Sequence, residues 1–200
     1  MAQLIFYPED HTYWLDGVLV PGVTELVKIL GDDMDDMSAD MENKMDIARE
    51  RGIIGHAVIA QMLQGETDID YPSAYEPYIE AVRLFLSEHE IIPAYIETPI
   101  ASETSGYAGT PDLLCWFDGV LSVLDYKFVS QIAKTKVKAQ LNGYLEMYIE
   151  NGVFPENLYA VQFLPDTYRL YPVTVDCSEF RLCLEVYKQK NRKHPRGRIE

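Results

Sequence analysis

Cysteine is scarce in this chain: Cys115, Cys177 and Cys183 are the only three among 200 residues. An odd, sparse set builds neither a disulfide framework nor a four-thiolate cluster within one chain, and it points to a reducing, intracellular setting. Long apolar runs are lacking too. No apolar stretch approaches ~18 residues, and Met1-Ala2-Gln3-Leu4 has no basic region followed by an apolar one, so neither a membrane span nor a secretory signal is expected. Gly-x4-Gly-Lys-Ser/Thr is absent, which excludes a recognisable nucleotide-hydrolysing motor. Positive charge is short as well: 17 Lys and Arg stand against 32 Asp and Glu, for a net charge of −15. That balance excludes a uniformly basic surface and makes the position of each charge the question.

What is present is a core. With 48% apolar and 12% aromatic residues the chain can bury one sizeable interior. One domain is expected over 1–187, followed by a basic tail over 188–200. Acid gathers in Asp32-Asp33-Met34-Asp35-Asp36 and on to Glu50, base in the segment from Lys188 to Arg198 and in Lys134, Lys136 and Lys138. The runs 4–7 and 12–20, separated by Pro8-Glu9-Asp10-His11, predict an amino-terminal hairpin with a further turn at Asp16-Gly17. Thr24 is placed to cap a helix over 25–30. Helical spacing then covers about 38–63, with breaks open at Gly52 or Gly55, and about 73–90. Strands are expected at about 94–102, 107–117 and 120–128, a helix at 134–150, strands at 158–164 and 168–175, and a last helix at 178–190. This order implies an α/β fold, a central mixed sheet flanked by helices, with the hairpin and a helical extension before it.

The chemistry concentrates in one of these hairpins. Asp118-Gly119 between two apolar runs is a strong two-residue turn signal, because both central residues need positive φ. If Phe117 faces Val120, then Asp112, in Gly109-Thr110-Pro111-Asp112, faces Asp125, in Asp125-Tyr126-Lys127. Residues so paired have Cβ atoms about 4.5–5.5 Å apart, and like charges there are unfavourable unless a cation sits between them. Strand period puts Lys127 on the face of Asp125 and Tyr126 on the other. Two carboxylates, the Tyr126 carbonyl and waters make a shell suited to Mg²⁺, in the manner of phosphodiester hydrolysis, with Lys127 orienting water or neutralising phosphate. A plain cross-strand Asp–Lys ion pair is the alternative for Asp125 and Lys127 taken alone. Glu97 on the preceding strand is a further acidic candidate. His56, on a helix, is either a core histidine or a ligand, and would suit Mn²⁺ better than Mg²⁺. Gln140 and Tyr144, four apart, share a helix face.

The set Gly52-x3-His56, Glu97, Gly109-x-Pro111-Asp112, Asp125-x-Lys127 and Gln140-x3-Tyr144, in this order, resembles the PD-(D/E)XK nuclease superfamily, in particular its RecB-type and phage lambda exonuclease-like members. The resemblance spans about 50–165, and the segment from Tyr13 to Leu30 is similar to the opening of phage-encoded nucleases. It implies a restriction-endonuclease-like αβββαβ core. It also implies His56, Asp112, Asp125 and the Tyr126 carbonyl around Mg²⁺ or Mn²⁺, with Lys127 and Glu97 in the catalytic set. Gln140 and Tyr144 would contact DNA, and Thr24 with Arg51 would receive a terminal phosphate. Such relatives often carry Ser where Gly22 stands and Thr where Phe128 stands. The four cysteines of the iron–sulfur subgroup are missing, so no such cluster is expected. The implied activity is a phage-type exonuclease of the bacterial or infected-cell cytoplasm, acting in end resection, recombination or replication. Its implied partner is a single-strand annealing protein, and a homo-oligomer is open. An endonuclease of the same superfamily and a catalytically silent DNA-binding module are the alternatives. On a body this acidic, DNA binding is expected to be weak and salt-sensitive unless a partner or oligomer adds positive surface.

Overall fold

Short alternating runs broken by Asp-Gly build an amino-terminal antiparallel sheet of three strands, β1 (Leu4–Tyr7), β2 (Thr12–Leu15) and β3 (Val18–Val20). The third strand follows from the further turn expected at Asp16-Gly17, where both residues take positive φ and fold the second run back on itself. The structure, a computed structural model, describes residues 2–31 and 39–191, and of 39–45 the backbone alone. Most of the acidic run and the tail beyond Asn191 therefore lie outside the described residues.

Helix α1 (Val23–Val27) runs on into a 3-10 turn over Lys28–Leu30. The cap differs from expectation. Gly22 is the N-cap, with no side-chain bond, so Thr24 already stands inside the first turn and its hydroxyl is freed from capping. Helix α2 (Ala39–Leu63) passes through Gly52 and Gly55 without a break. At Gly55 the reason is packing: a Cβ there would come within 2.2 Å of the Phe128 ring, so the glycine is a notch for that ring. Residues 73–75 form a 3-10 turn before α3 (Glu76–Glu88), whose Ile79, Val82 and Phe85 face the core.

The expected strand over 94–102 divides into β4 (Ile91–Ile96) and β5 (Ile100–Ser102), and that over 107–117 into β6 (Tyr107–Gly109) and β7 (Leu113–Phe117). Pro99 and Pro111 sit at the two divisions and have no N–H to give a ladder. β5 and β6 pair as a separate small sheet. β8 (Val120–Lys127), α4 (Lys134–Glu150), β9 (Asn157–Leu164), β10 (Thr167–Val173) and α5 (Ser178–Asn191) complete the chain. The first residues of the basic run, from Lys188, thus belong to α5.

The central sheet has the order β10-β9-β8-β7-β4, with β8 and β9 parallel and the other pairs antiparallel. It is the expected mixed sheet flanked by helices. β8 is central and packed on both faces, so it reads as a nearly continuous apolar run. Val123, Leu114 and Leu158 pack towards α1, α4 and α5. Leu124, Tyr126, Leu113 and Val161 pack the other way, with α3 and Ile59 of α2. Asp125 and Lys127, alternating with Leu124 and Tyr126, therefore fall on the α4 side. Among the described residues no helix is long and apolar enough to cross a membrane.

Candidate active site

The β7–β8 turn sets the geometry. Asp118 and Gly119 have φ of 48° and 83°, Phe117 faces Val120, and the pairing runs without a slip to Leu113 and Leu124. One step beyond β7, Asp112 comes level with Asp125. Its side chain takes over the ladder there, since Tyr126 N–H donates to Asp112 Oδ2 over 2.6 Å. On the other flank a bulge between Pro93 and Tyr95 shifts β4, so that Ile96 faces Leu113. Glu97 N–H then donates to the Asp112 carbonyl over 3.0 Å. Without the bulge Ile96 would stand beside Asp112; bulges re-aim side chains in this way. Glu97, just past the end of β4 rather than within a strand, has φ of 42°, a conformation that costs a residue with a side chain about 1–3 kcal/mol.

Helix α2 brings His56 to this strand end, with Nδ1 3.4 Å from Asp112 Oδ1 and 3.9 Å from Glu97 Oε1. Asp125 is 1% exposed. Lys127 Nζ lies 2.7 Å from Asp125 Oδ2, a buried ion pair. Asp125 Oδ1 is buried without a hydrogen-bond partner among the described residues. Lys127 Nζ donates to Gln140 Oε1 (3.2 Å), and Gln140 Nε2 donates to the Tyr144 hydroxyl (3.1 Å). The four-residue spacing on α4 makes that last contact. Thr24, released from capping, stands at the Tyr144 hydroxyl.

All of these except Tyr126 line one cleft of about 420 Å³, together with Phe6, His11 and Thr110. Tyr126 enters through its amide, while its phenol is buried on the opposite face of the sheet. Arg51 is not among the lining residues. Its Nε donates to the Phe128 carbonyl (2.7 Å), its Nη1 to the Tyr78 hydroxyl (2.9 Å), and its guanidinium covers the Tyr78 ring. It braces the segment after Lys127 and does not share a site with Thr24. Phe6, His11 and Thr110 were missed by sequence reasoning. Nothing in their local spacing reports that the amino-terminal sheet folds over this cleft; the link is the Tyr13 hydroxyl, 2.9 Å from Thr110 Oγ1 and 3.3 Å from His11 Nε2.

The charges are strongly coupled. Burial and the facing Asp112 raise the Asp125 carboxyl to about 6, against the pull of Lys127. Burial would raise Asp112 too, but His56, Lys127 and the Tyr126 amide outweigh it and hold that carboxyl below its usual range. Burial alone would lower His56; Asp112 and Asp125 override it and lift the imidazole to about 9. Lys127 is likewise raised despite burial, by the same two carboxylates, and stays charged at neutral pH. Burial raises Glu97.

Among the described residues no three His, Cys, Asp or Glu side chains converge as a ready-made metal cage. Mg²⁺ does not require one. It keeps several waters and is commonly held by one or two carboxylates. A buried carboxylate with one oxygen free of hydrogen-bond partners among the described residues, level with a second carboxylate at a strand end, fits such an open site.

No family model matches the chain, and no curated protein matches it in sequence. Among solved structures it is similar to an alkaline exonuclease, LHK-Exo, from Laribacter hongkongensis: TM-score 0.43, 15% identity, 86% of this chain and 87% of that one. The complex of LHK-Exo with dAMP gives a TM-score of 0.42 at 16% identity, over 87% of this chain and 94% of that one. A third structure, SSO0001, gives 0.39 at 18% identity, over 63% and 64%. These are similarities of overall structure, and the chemistry of the cleft is argued from its own residues.

Proposed function

We propose that this chain is a metal-dependent deoxyribonuclease, hydrolysing phosphodiester bonds with Asp112, Asp125 and Lys127. One observation carries the reading: Asp125 is buried beside Asp112, with Oδ1 lacking any hydrogen-bond partner among the described residues and Oδ2 paired with a charged Lys127. Burying two carboxylates side by side is costly even with a lysine beside them, and a site that exists only for packing has no use for it. Asp112 and Asp125 would hold Mg²⁺ or Mn²⁺, with the Tyr126 carbonyl, His56 and Glu97 at the margin. A divalent cation, when bound, supplies positive charge against a phosphate and makes water a stronger acid. Lys127 then orients the attacking water and offsets phosphate charge. Gln140 fixes the Lys127 ammonium, and Gln140, Tyr144 and Thr24 form the wall along which DNA lies.

The reading extends to an exonuclease encoded by a phage or prophage, one domain over 1–187 with a basic tail, working in the cytoplasm on DNA ends for recombination or replication. A single-strand annealing protein is the proposed partner. The test is digestion of end-labelled linear duplex, single-stranded and covalently closed circular DNA with Mg²⁺ or Mn²⁺. Linear DNA is expected to disappear and circles to survive; cutting of circles would favour an endonuclease. Asp112→Asn, Asp125→Asn and Lys127→Gln are each expected to lower kcat by at least about 100-fold while the circular dichroism spectrum stays unchanged. Full activity in either folded Asp variant removes the mechanism.

A further inference from the structure

The cleft has a second wall that the hydrolytic chemistry does not use. Phe6 of β1 and His11 of the β1–β2 turn line the same cleft as Gln140 and Tyr144. Phe6 stacks on Tyr13 at 4.8 Å and 24°, and the His11 ring stands edge-on to Phe6 at 5.2 Å and 89°. Tyr13 is buried and joined through its hydroxyl to Thr110, two residues before Asp112. The rings are therefore fixed relative to the carboxylates. His11 is exposed, and its backbone has φ of 54°. His11 and Thr24 also border a neighbouring cleft lined by Asp10, Tyr13, Glu25 and Lys28, so a chain leaving the first cleft on this side crosses the imidazole. A miniature core would bury that ring; here it is held out at a turn tip beside the catalytic set.

Resting on the nuclease reading, we infer that Phe6 and His11 form a stacking wall for an unpaired nucleobase flanking the scissile phosphate. The substrate at the moment of cleavage is then a single strand or a frayed end, because a base within a duplex has both faces covered by its neighbours and a base flanking the scissile phosphate is freed for a protein ring by unstacking. Stacking of this kind tolerates any base and contributes about five- to 150-fold in affinity per base.

The test uses single-stranded oligonucleotides carrying 2-aminopurine at the 5′ or the 3′ terminal position, bound to the Asp125→Asn protein in Mg²⁺. Binding is expected to quench the fluorescence at one of the two ends. His11→Ala and Phe6→Leu in that background should each lose most of the quench and weaken binding by about fivefold or more, while His11→Phe keeps both. An abasic nucleotide at the same position should weaken binding to the ring-intact protein and add nothing to the loss in His11→Ala. An unchanged quench in His11→Ala, an abasic loss equal in both proteins, or no binding at all overturns the inference. His11 is a surface residue, so its variant carries the test if Phe6→Leu unfolds. Wild-type protein that cuts no DNA while the ring-dependent quench persists would sink the nuclease reading alone. Cleavage with a ring-independent quench would sink the stacking wall alone.

Discussion

Asp125 is the residue whose surroundings fit a structural role least. Its burial and the adjacent Asp112 oppose ionisation, and Lys127, with a smaller pull from His56, offsets them in part. Asp125→Asn removes that charge without changing shape, so in chelator it is expected to alter the melting temperature little or to raise it. With excess Mn²⁺ the wild type should gain stability and the variant much less; saturation at 100 times Kd stabilises by about 2.7 kcal/mol. Equal gains in both would mean the ion binds elsewhere. His56 supplies a pH signature of the metal-free state. The carboxylates lift it from an ordinary 6.5 to about 9, so its contribution is complete below pH 6.5 and is lost as pH rises through 9. Thermal melts in chelator from pH 6 to 9.5 should fall more steeply for wild type than for His56→Gln. Parallel profiles would show that the imidazole is not held by the carboxylates.

At the scale of elements, the notch in α2 ties the helix bearing His56 to the segment after Lys127. A Cβ on Gly55 would overlap the Phe128 ring at 2.2 to 2.5 Å, and that ring is buried against Phe163 at 5.0 Å. Gly55→Ala is expected to destabilise by about 1–3 kcal/mol. Phe128→Leu should relieve part of that, giving a non-additive cycle in urea melts; strict additivity would mean that the two do not meet. The same contact explains what sequence could tell. The β7–β8 register was legible because Asp118-Gly119 specifies it within a few residues, and with it came the alignment of Asp112 with Asp125. The continuity of α2 was not, because Gly55 reads as a breaker until the Phe128 ring, distant in sequence, is seen to fill its place. The bulge that brings Glu97 to Asp112, and the capping of α1 by Gly22, likewise depend on pairing with other segments. Local turn chemistry carries its own information; packing between distant segments does not.

At the scale of the whole molecule, a net charge of −15 must be reconciled with a polyanionic substrate. Several of the described cations are committed: Lys138 to Asp176 and Glu179, Arg83 to Glu76 and Glu80, Arg181 to Glu146, Arg51 to the Phe128 carbonyl and Tyr78. Such pairs reduce the positive surface that can meet phosphates. Arg192, Lys193, Arg196 and Arg198 are four cations in the last nine residues, and their charge is the natural counterweight to the acidic body. Each phosphate contact adds about 0.9 to the slope of log K against log salt on duplex DNA, and about 0.7 on single strands. Ending the chain after Asn191 is therefore expected to weaken DNA binding at low salt and to lower the slope by up to roughly three units, or four contacts at 0.7–0.9 each. The kcat on a short oligonucleotide saturating the cleft should stay within about twofold, since the cleft residues are untouched. Fluorescence anisotropy of labelled DNA between 50 and 200 mM KCl measures both terms. A slope indifferent to the truncation would assign DNA capture to the cleft alone, or to a partner's surface, and would deny the tail any part in it.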